Sequence, residues 1–320
     1  MNNAKNNDFF RACLLLSLLL LFYNTVAIYN KILLSESINI VSDNVDELII
    51  KAIKNITENG TYIQDNPKPC QQAYSVHYTL LNPLNRVHNL RNPVSKKYLC
   101  KELLAFFKGS LNVHDGLAQA SSVWAGIANE NDEIVSNYGY YVFHEKIPGT
   151  HNMTQYDWVI YHLSHNLDSR KALININQPY HKKLHVKDYP CTIGIQFFVQ
   201  DDYLCCVVSS RSTDVYWGLP YNMGFFSFLT ELVYVDLKER LDSEKAKKLK
   251  LGYVTMKTHF TQIYTRTRPQ ALQLFEHYKD YQGKYFTDMP RIDDAQETLR
   301  DIYNGTHNTT IMQWIYKNAQ

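Results

Sequence analysis

At 320 residues, of which 45% are hydrophobic and 20% charged, the chain is long enough for one large domain or two small ones. The net charge of +2 gives no global argument for nucleic-acid binding, so any positive charge for an anionic ligand must be local. The six cysteines form no C-x-x-C pair, and we expect them to be reduced, mostly packing residues, without a zinc site.

The N-terminal segment, residues 1–40, is interpreted apart from the rest. Its apolar run at 12–29 follows Lys5 and Arg11 and has the length of a short membrane-spanning helix or of a signal sequence. Positive charge before the run favours keeping that end in the cytoplasm. The segment is either a membrane anchor or an upstream extension, and residues 41–320 are predicted to form the folded domain.

Helices and strands are interspersed along that domain. Apolar residues at helical spacing predict helices at 45–60, 96–110 and 155–167 and a central buried helix at 224–241. Extended patterns predict strands at 72–80, 171–177, 190–200, 203–212 and 250–260. The third and fourth of these strands join through Asp201-Asp202 as a hairpin. This mixture, without a linker rich in Pro, Gly or Ser, predicts a single α+β domain.

Cys191 follows a proline at the start of a predicted strand, in DYPCTIGIQFF (188–198). A cysteine there is either a small buried hydrophobe or a nucleophile presented by a rigid element. A nucleophile needs positive charge nearby, because the thiolate is the reactive form. The next strand ends in SSRSTD (209–214), which places Arg211 and Ser212 beside the strand of Cys191.

Two basic clusters are candidate phosphate ligands. Arg211 with Ser212 offers a bidentate donor beside a neutral one. A surface ion pair is the common alternative for the arginine, but apolar strands with a cysteine rarely end in such a cluster. Arg170 and Lys171, in LDSRKAL, form either a solvated loop or a second phosphate contact.

Three further polar residues have two interpretations each. Asn222, in GLPYN, is either a helix N-cap or an amide that reads a base edge. Glu102 lies on an otherwise apolar helix and is either exposed at the rim or buried with a raised pKa, as a proton-transfer group requires. His259 is either a core histidine or a ligand of a substrate hydroxyl.

The order and spacing of these segments resemble the thymidylate synthase family, including its deoxycytidylate hydroxymethylase branch. The segments that carry the resemblance are ELLAFFKGSLN, VWAGI, SNYGYYVF, QYDWV, DSRKALI, YPCTIGIQFFV, RSTDVYWGLPYN and THF. It runs from about Val45 to His259, and residues 190–222 are its most diagnostic part. The resemblance implies a three-layer α+β domain around a large mixed sheet, acting as a homodimer.

The resemblance also implies a role for each site residue. The nucleophile that adds to carbon 6 of a pyrimidine nucleoside monophosphate is Cys191, with Tyr138 near it, Glu102 relaying protons and Asn222 reading the base. The phosphate and sugar ligands are Arg211, Ser212, Arg170 and Lys171, the last two reaching the partner subunit's phosphate, and His259. The residues implied for the cofactor, 5,10-methylenetetrahydrofolate, are Asp214, Trp124, Gly218, Leu219 and Tyr221. The implied environment is the cytoplasm, with membrane association only through residues 12–29 and no nucleic-acid partner.

Departures from the family pattern narrow the reaction. Thr192 stands where synthases have a histidine, which the hydroxymethylase branch similarly lacks. Asn222 fits the edge of uracil, where the cytosine-specific branch has an aspartate. We therefore expect dUMP as substrate, with a hydroxymethyl product slightly ahead of a methyl product.

Other departures favour an alternative function, a catalytically silent member that binds nucleotide or protein. A phosphate arginine is replaced near Asn66, with Lys68 as a substitute. Thr261 occupies the position of a sugar-binding tyrosine. The tail WIYKNAQ does not resemble the tail that closes synthases over folate. An altered tail also fits hydroxymethyl transfer, because that reaction needs water to enter.

Overall fold

A computed structural model describes residues 21–23, 25, 37–65, 67–281 and 289–320. The predicted apolar run at 12–29 lies largely outside these residues, and Asn66 lies outside them too. Within the described ranges, no helix combines the length and the apolar character that a membrane crossing requires. Residues 39–320 form one compact unit.

One mixed sheet holds the strands of the described residues. They are β1 (Ile38–Ser42), β2 (Thr61–Ile63), β3 (Cys70–Leu80), β4 (Leu173–Asn175), β5 (Thr192–Gln200), β6 (Tyr203–Asp214) and β7 (Lys250–Tyr264). Their order is β1-β3-β7-β6-β5-β4, with β2 paired to β3. Strands β6 and β7 are parallel, whereas the β3–β7, β5–β6 and β4–β5 pairs are antiparallel. The predicted hairpin of β5 and β6 is confirmed, with Asp201 and Asp202 both at positive φ.

Helices connect and cover the strands. They are α1 (Val45–Asn59), α2 (Val94–Lys108), α3 (Gln155–His165), α4 (Leu219–Arg240), α5 (Ser243–Lys248), α6 (Arg268–Tyr281), α7 (Ala295–Asn304) and α8 (Thr310–Ala319). The side chain of Asn44 caps the start of α1, and Gly109 ends α2 at a φ of 63°, a left-handed conformation that suits glycine. A capping box of Thr154 and Asp157 starts α3.

Helix α4 is the central buried helix that the sequence predicts, but it starts five residues earlier, at Leu219. Pro220 is compatible with the first turn of a helix, where the N–H groups have no intrahelical acceptor. Asn222 therefore lies inside the first turn. The N-cap interpretation of Asn222 was wrong, because Gly218 occupies that position.

Helices α1 and α4 pack against β3, β6 and β7. Along β6 the buried Cys206, Val208 and Ser210 alternate with Val207 and Ser209, which are only partly buried. This alternation is typical of a sheet with one packed face. The helices, the sheet and the central α4 confirm the α+β prediction.

Candidate active site

Cys191 lies immediately before β5 and is half-buried. Its carbonyl oxygen accepts hydrogen bonds from the Arg211 N–H at 2.8 Å and from the Ser210 hydroxyl at 3.1 Å. The hairpin therefore brings the strand end of β6 to the cysteine, as the sequence predicts. The five described cysteines are all free.

The guanidinium of Arg211 holds the backbone that precedes the cysteine. It donates to the carbonyl of Pro190 at 3.1 Å and to that of Tyr189 at 2.7 Å, and it lies 5.1 Å from the centre of the Tyr189 ring. The neighbouring Ser212 hydroxyl lies 3.2 Å from the side-chain oxygen of Gln262. Both side chains are partly exposed, so both remain accessible to a ligand.

The pKa of the Cys191 thiol differs from the expectation that a nearby arginine lowers it. The sequence predicts that Arg211 lowers the thiol pKa, and it does so, but burial raises that pKa by more, and Asp188 raises it further. The net pKa of the thiol is therefore above its ordinary value in the ligand-free protein.

Asp188 is a buried residue near the cysteine that sequence reasoning missed. Its carboxylate accepts from the N–H groups of Val135, at 2.6 Å, and of Ser136, at 3.0 Å, and from the Ser136 hydroxyl. Burial raises the pKa of Asp188 above its ordinary value. These bonds tie the Cys191 loop to the segment that leads into Tyr138.

Tyr138 is buried between Cys191 and α2. Its hydroxyl accepts from the Thr192 N–H at 3.4 Å, and its ring stacks on Phe106 with centroids 5.5 Å apart. The approach to α2 depends on Gly139, because a Cβ there would lie 1.8 Å from the Phe106 carbonyl oxygen. The Thr192 hydroxyl is buried and has no hydrogen-bond partner in the described part of the chain.

Glu102 is 6% exposed, which selects the buried interpretation over the rim. Burial raises the pKa of Glu102 to about 7, although a hydrogen bond from the Tyr98 hydroxyl, 2.9 Å long, lowers it. A carboxyl with this pKa exists in both protonation states near neutral pH, which is what proton transfer requires.

An aromatic wall stands beside Glu102. The indole N–H of Trp124 donates to the Tyr98 hydroxyl at 3.2 Å, and the Tyr98 and Tyr221 rings lie 4.3 Å apart. Trp124 is half-buried, while Tyr221 and the adjacent Leu219 are buried.

Asp214 ends β6 next to this wall. Its side chain accepts from the N–H groups of Tyr216 and Trp217 at 2.8 and 3.3 Å, and burial raises its pKa to about 6. Gly218 passes close to it, since a Cβ at that position would lie 3.0 Å from the Asp214 carbonyl oxygen.

Arg91 connects the aromatic wall to the segment that follows Asp214. Sequence reasoning also missed this residue. Its guanidinium donates to the Tyr221 hydroxyl at 2.8 Å and lies 4.2 and 4.4 Å from the ring centres of Tyr216 and Trp217. It lowers the pKa of Asp214. No local motif marks this role of Arg91, because Tyr216, Trp217 and Tyr221 lie more than a hundred residues further along the chain.

His259 is exposed on β7, so the core interpretation was wrong. The parallel register pairs Thr258 with Ser210 and Phe260 with Ser212, which places His259 beside Arg211. Thr261 is buried, and its hydroxyl bonds that of Tyr78 at 2.8 Å.

Arg170 and Lys171 lie at the other end of β5 from Cys191. Arg170 lines a cavity of about 390 Å³ with Gln196, Phe198 and Val199. Val199 lies eight positions after Cys191, or about 26 Å along the strand direction at 3.3 Å per residue. Within one chain the structure does not bring these two basic residues to the cysteine.

The C-terminal residues WIYKNAQ lie mostly in α8, which packs against α2. Ile315 and Ala319 are buried there. Lys68, the suggested substitute for the missing arginine, is exposed.

Comparison with known proteins agrees with this arrangement. The model of the family described as thymidylate synthase matches residues 50–298, more than three quarters of the chain. The chain belongs to the thymidylate synthase family. Its members transfer one-carbon units, as the relatives below do by name, and the enzyme is a methyl- or hydroxymethyltransferase.

Curated relatives come from both branches of the family. The chain is 26% identical over 206 residues to the deoxycytidylate 5-hydroxymethyltransferase of Enterobacteria phage T4, covering 60% of this chain and 79% of the phage protein. It is 32% identical over 133 residues to the thymidylate synthase of Buchnera aphidicola, covering 41% and 50%. The thymidylate synthase of Coxiella burnetii is 29% identical over 140 residues, covering 43% and 52%.

Proposed function

We propose that this chain transfers a one-carbon unit from 5,10-methylenetetrahydrofolate to carbon 5 of dUMP, with hydroxymethyl-dUMP favoured over dTMP as product. The observation that carries the proposal is the pairing of Cys191 with Arg211 across the β5–β6 hairpin. This pairing supports the proposal because it brings together a thiol, which can act as a nucleophile, and a guanidinium, which can bind phosphate.

The nucleotide site is built on β6 and β7. Arg211 and Ser212 bind the phosphate, and His259, beside them on β7, bonds the sugar hydroxyl. The thiolate of Cys191 adds to carbon 6, forming an S–C bond while the ring double-bond electrons move toward the base oxygen. Binding a phosphate dianion to Arg211 would remove part of its effect on the thiol, so orientation contributes more than thiolate acidity.

Base choice rests on Asn222. An amide offers a donor and an acceptor together, and it complements the adjacent C=O and N–H of uracil. Cytosine presents an amino group where uracil presents an oxygen, and an acid suits that edge better. Asn222 is partly exposed in the first turn of α4, directly beyond the strand that carries Arg211.

The residues present suit a folate ring. Asp214 offers a partly buried carboxyl. Trp124 and the 42% exposed Trp217 offer flat apolar surface beside it, and the buried Tyr221 supports that surface from behind. When bound, the cofactor supplies the one-carbon unit. Asp214 would accept hydrogen bonds from N–H groups of the folate ring, while Gly218 and Leu219 would shape the backbone beside that ring.

Proton transfer is assigned to Glu102. Its carboxyl is buried, has a pKa of about 7 and lies near Tyr138, which in turn contacts the residue after Cys191. Glu102 would accept the carbon 5 proton, directly or through a water, during the transfer.

The product depends on whether water enters the site, which gives a hydroxymethyl group, or is excluded from it, which gives a methyl group. Thr192 takes the place of a synthase histidine, and the phage hydroxymethyltransferase matches over a larger share of both chains than the Buchnera synthase does. Both points favour water as the final nucleophile.

A homodimer completes the proposal. The outer sheet face bears partly exposed apolar residues, including Phe198 and Val207, and Arg170 opens onto that side. Stacking of two such faces would bury them and carry Arg170 and Lys171 to the phosphate of a second copy. Mixing inactive Arg170→Ala and Cys191→Ser chains should restore activity if this assignment holds, and a mixture without activity contradicts it.

The function is tested by incubating the protein with methylenetetrahydrofolate and either dUMP or dCMP. Mass analysis of the nucleotide identifies a methyl or a hydroxymethyl product. We expect dUMP conversion, and conversion of dCMP alone would contradict the role of Asn222. Cys191→Ser should abolish conversion, and retained activity would exclude it as the nucleophile.

A silent, nucleotide-binding protein is the competing outcome. Calorimetry would then detect nucleotide binding without turnover. Release of tritium from carbon 5 of the pyrimidine would count against it, because exchange needs the covalent adduct. The substrates are cytosolic, so we place the domain in the cytoplasm, and fractionation elsewhere would overturn this.

A further inference from the structure

Tyr98 and Glu102 face each other one helical turn apart on α2. Tyr98 donates its hydroxyl hydrogen to Oε1 of Glu102 at 2.9 Å, and Trp124 donates its indole hydrogen to the Tyr98 oxygen at 3.2 Å. The contact of 4.3 Å between the Tyr98 and Tyr221 rings fixes the orientation of the hydroxyl. Trp124, Tyr98 and Glu102 thus form a chain, here called the indole–phenol–carboxyl chain.

The direction of this chain follows from its chemistry. An indole N–H can only donate, and a phenol carries a single hydrogen. Because Trp124 occupies a lone pair of the Tyr98 oxygen, the phenol hydrogen points to Glu102. In this arrangement Oε1 of Glu102 accepts in both protonation states, and the proton of the neutral carboxyl resides on Oε2. No hydrogen bond among the described residues uses Oε2.

The groups that face Glu102 are neutral at physiological pH. They are Tyr98 on its own helix, Tyr138 from the segment before the Cys191 loop and Tyr221 from α4, each of which senses the charge of Glu102. Of the three, Tyr98 is the one that bonds the carboxyl. Its hydrogen bond favours the ionised form, and the indole strengthens the phenol as a donor.

We propose that Tyr98 is a positioning residue. It connects Trp124, in the aromatic wall, to Glu102 and keeps the exchangeable proton of Glu102 on Oε2. The proposal rests on the proposed function in two respects, the assignment of Glu102 to proton transfer and of Trp124 to cofactor binding. A ligand that packs on the half-buried indole would then alter the proton affinity of Glu102 through the chain. Cofactor occupancy and proton transfer would be coupled within one site.

The direct test is a titration of Glu102 in the ligand-free full chain. Glutamate isotopically labelled at Cδ is followed by NMR, and the Glu102 resonance is the one that Glu102→Gln removes. Tyr98→Phe keeps the ring contact and removes the hydroxyl, so the Glu102 midpoint should rise by about one pH unit. Tyr161→Phe, an exposed tyrosine on α3, is the matched control and should leave the midpoint unchanged. An unchanged or lower midpoint in Tyr98→Phe would overturn the proposal.

Trp124→Phe tests the outer link of the chain independently. We expect a smaller rise of the Glu102 midpoint in the wild-type background and no rise in the Tyr98→Phe background. Equal rises in both backgrounds would show that Trp124 acts without Tyr98 and would contradict the chain.

A turnover measurement separates this proposal from the proposed function. The rate of tritium release from dUMP should fall at low pH, and the pH of half-maximal rate should increase in Tyr98→Phe by as much as the NMR midpoint does. If the wild type releases no tritium, the proposed function fails while the titration still decides the chain. If tritium release occurs and its pH of half-maximal rate does not follow the midpoint, the link to proton transfer is wrong.

Discussion

Buried carboxyl groups of the scaffold and the Glu102 carboxyl of the site have different surroundings. In the scaffold, Glu231 pairs with the fully buried Arg86 at 2.6 Å, and Asp301 accepts from the N–H groups of Asn308 and Thr309 at the start of α8. In the site, the carboxyl of Glu102 is bonded by a neutral phenol.

The pKa values follow this difference. Hydrogen bonds hold the pKa of Asp301 below its ordinary value, whereas burial raises the pKa values of Glu102 and Asp214. The Asp301 carboxylate is stabilised as an anion, while the pKa values of Glu102 and Asp214 lie closer to neutral pH. The site therefore costs stability that the scaffold must supply.

Breaking the scaffold pair should have the largest effect. Arg86→Met leaves Glu231 buried without a cation, and we expect a loss of about 3–5 kcal/mol in the free energy of unfolding. Urea denaturation measures it. The double variant Arg86→Met/Glu231→Leu removes both charges and should recover most of the loss. A single variant no less stable than the double one would contradict this interpretation.

Neutralising Glu102 in the site should increase the free energy of unfolding, the opposite of breaking the scaffold pair. Because the pKa of Glu102 is about 7 in the folded chain against 4.5 as its ordinary value, ionisation favours the unfolded state as pH rises between them. Glu102→Gln should therefore be more stable than the wild type by about 2–3 kcal/mol near pH 8, and the gain should shrink towards about pH 4. Denaturation at both pH values checks it, and a pH-independent difference would be contrary evidence.

Asp301 supplies the reverse pH dependence with a smaller size. Its lowered pKa contributes stability above its ordinary value of 3.8, and that contribution disappears as pH falls through the folded value. Asp301→Asn should cost about 1–2 kcal/mol at neutral pH, because the amide replaces an acceptor with a donor. Thermal unfolding across the acid range would show the loss vanish, and a constant loss would argue against titration.

The smallest effect is expected at Thr192. Its buried hydroxyl has no partner in the described residues, so Thr192→Val should stabilise the protein by about 1 kcal/mol. Thr261→Val is the matched control, since the Thr261 hydroxyl is paired with Tyr78 and its loss should destabilise. Equal effects in the two variants would mean that burial, and not pairing, decides.

Local patterns predicted much of the fold. Helical spacing located α1, and a glycine marked the end of α2. The strand–turn–strand pattern around Asp201 placed Arg211 beside Cys191, because hairpin register is a short-range property. Burial of Glu102 was one of two alternatives, and the structure selects it.

Long-range contacts could not be predicted in the same way. Arg91 and Tyr221 are far apart in sequence, and so are Arg86 and Glu231, so no local pattern pairs them. The start of α4 was placed too late, at 224, because GLPYN was interpreted as a segment preceding the helix. The net pKa of Cys191 was misjudged because its burial depends on packing that a single strand does not reveal.

The separation of Arg170 from Cys191 along β5 has a consequence for gene dosage. If each phosphate site needs an arginine from a second copy, a perfectly folded single chain is still inactive. At chain concentrations below the dissociation constant of the dimer, the enzyme activity would then grow with the square of the expression level. A modest change in transcription would be amplified in the nucleotide pool, and a chain lacking only Cys191 would still complete the site of an intact partner.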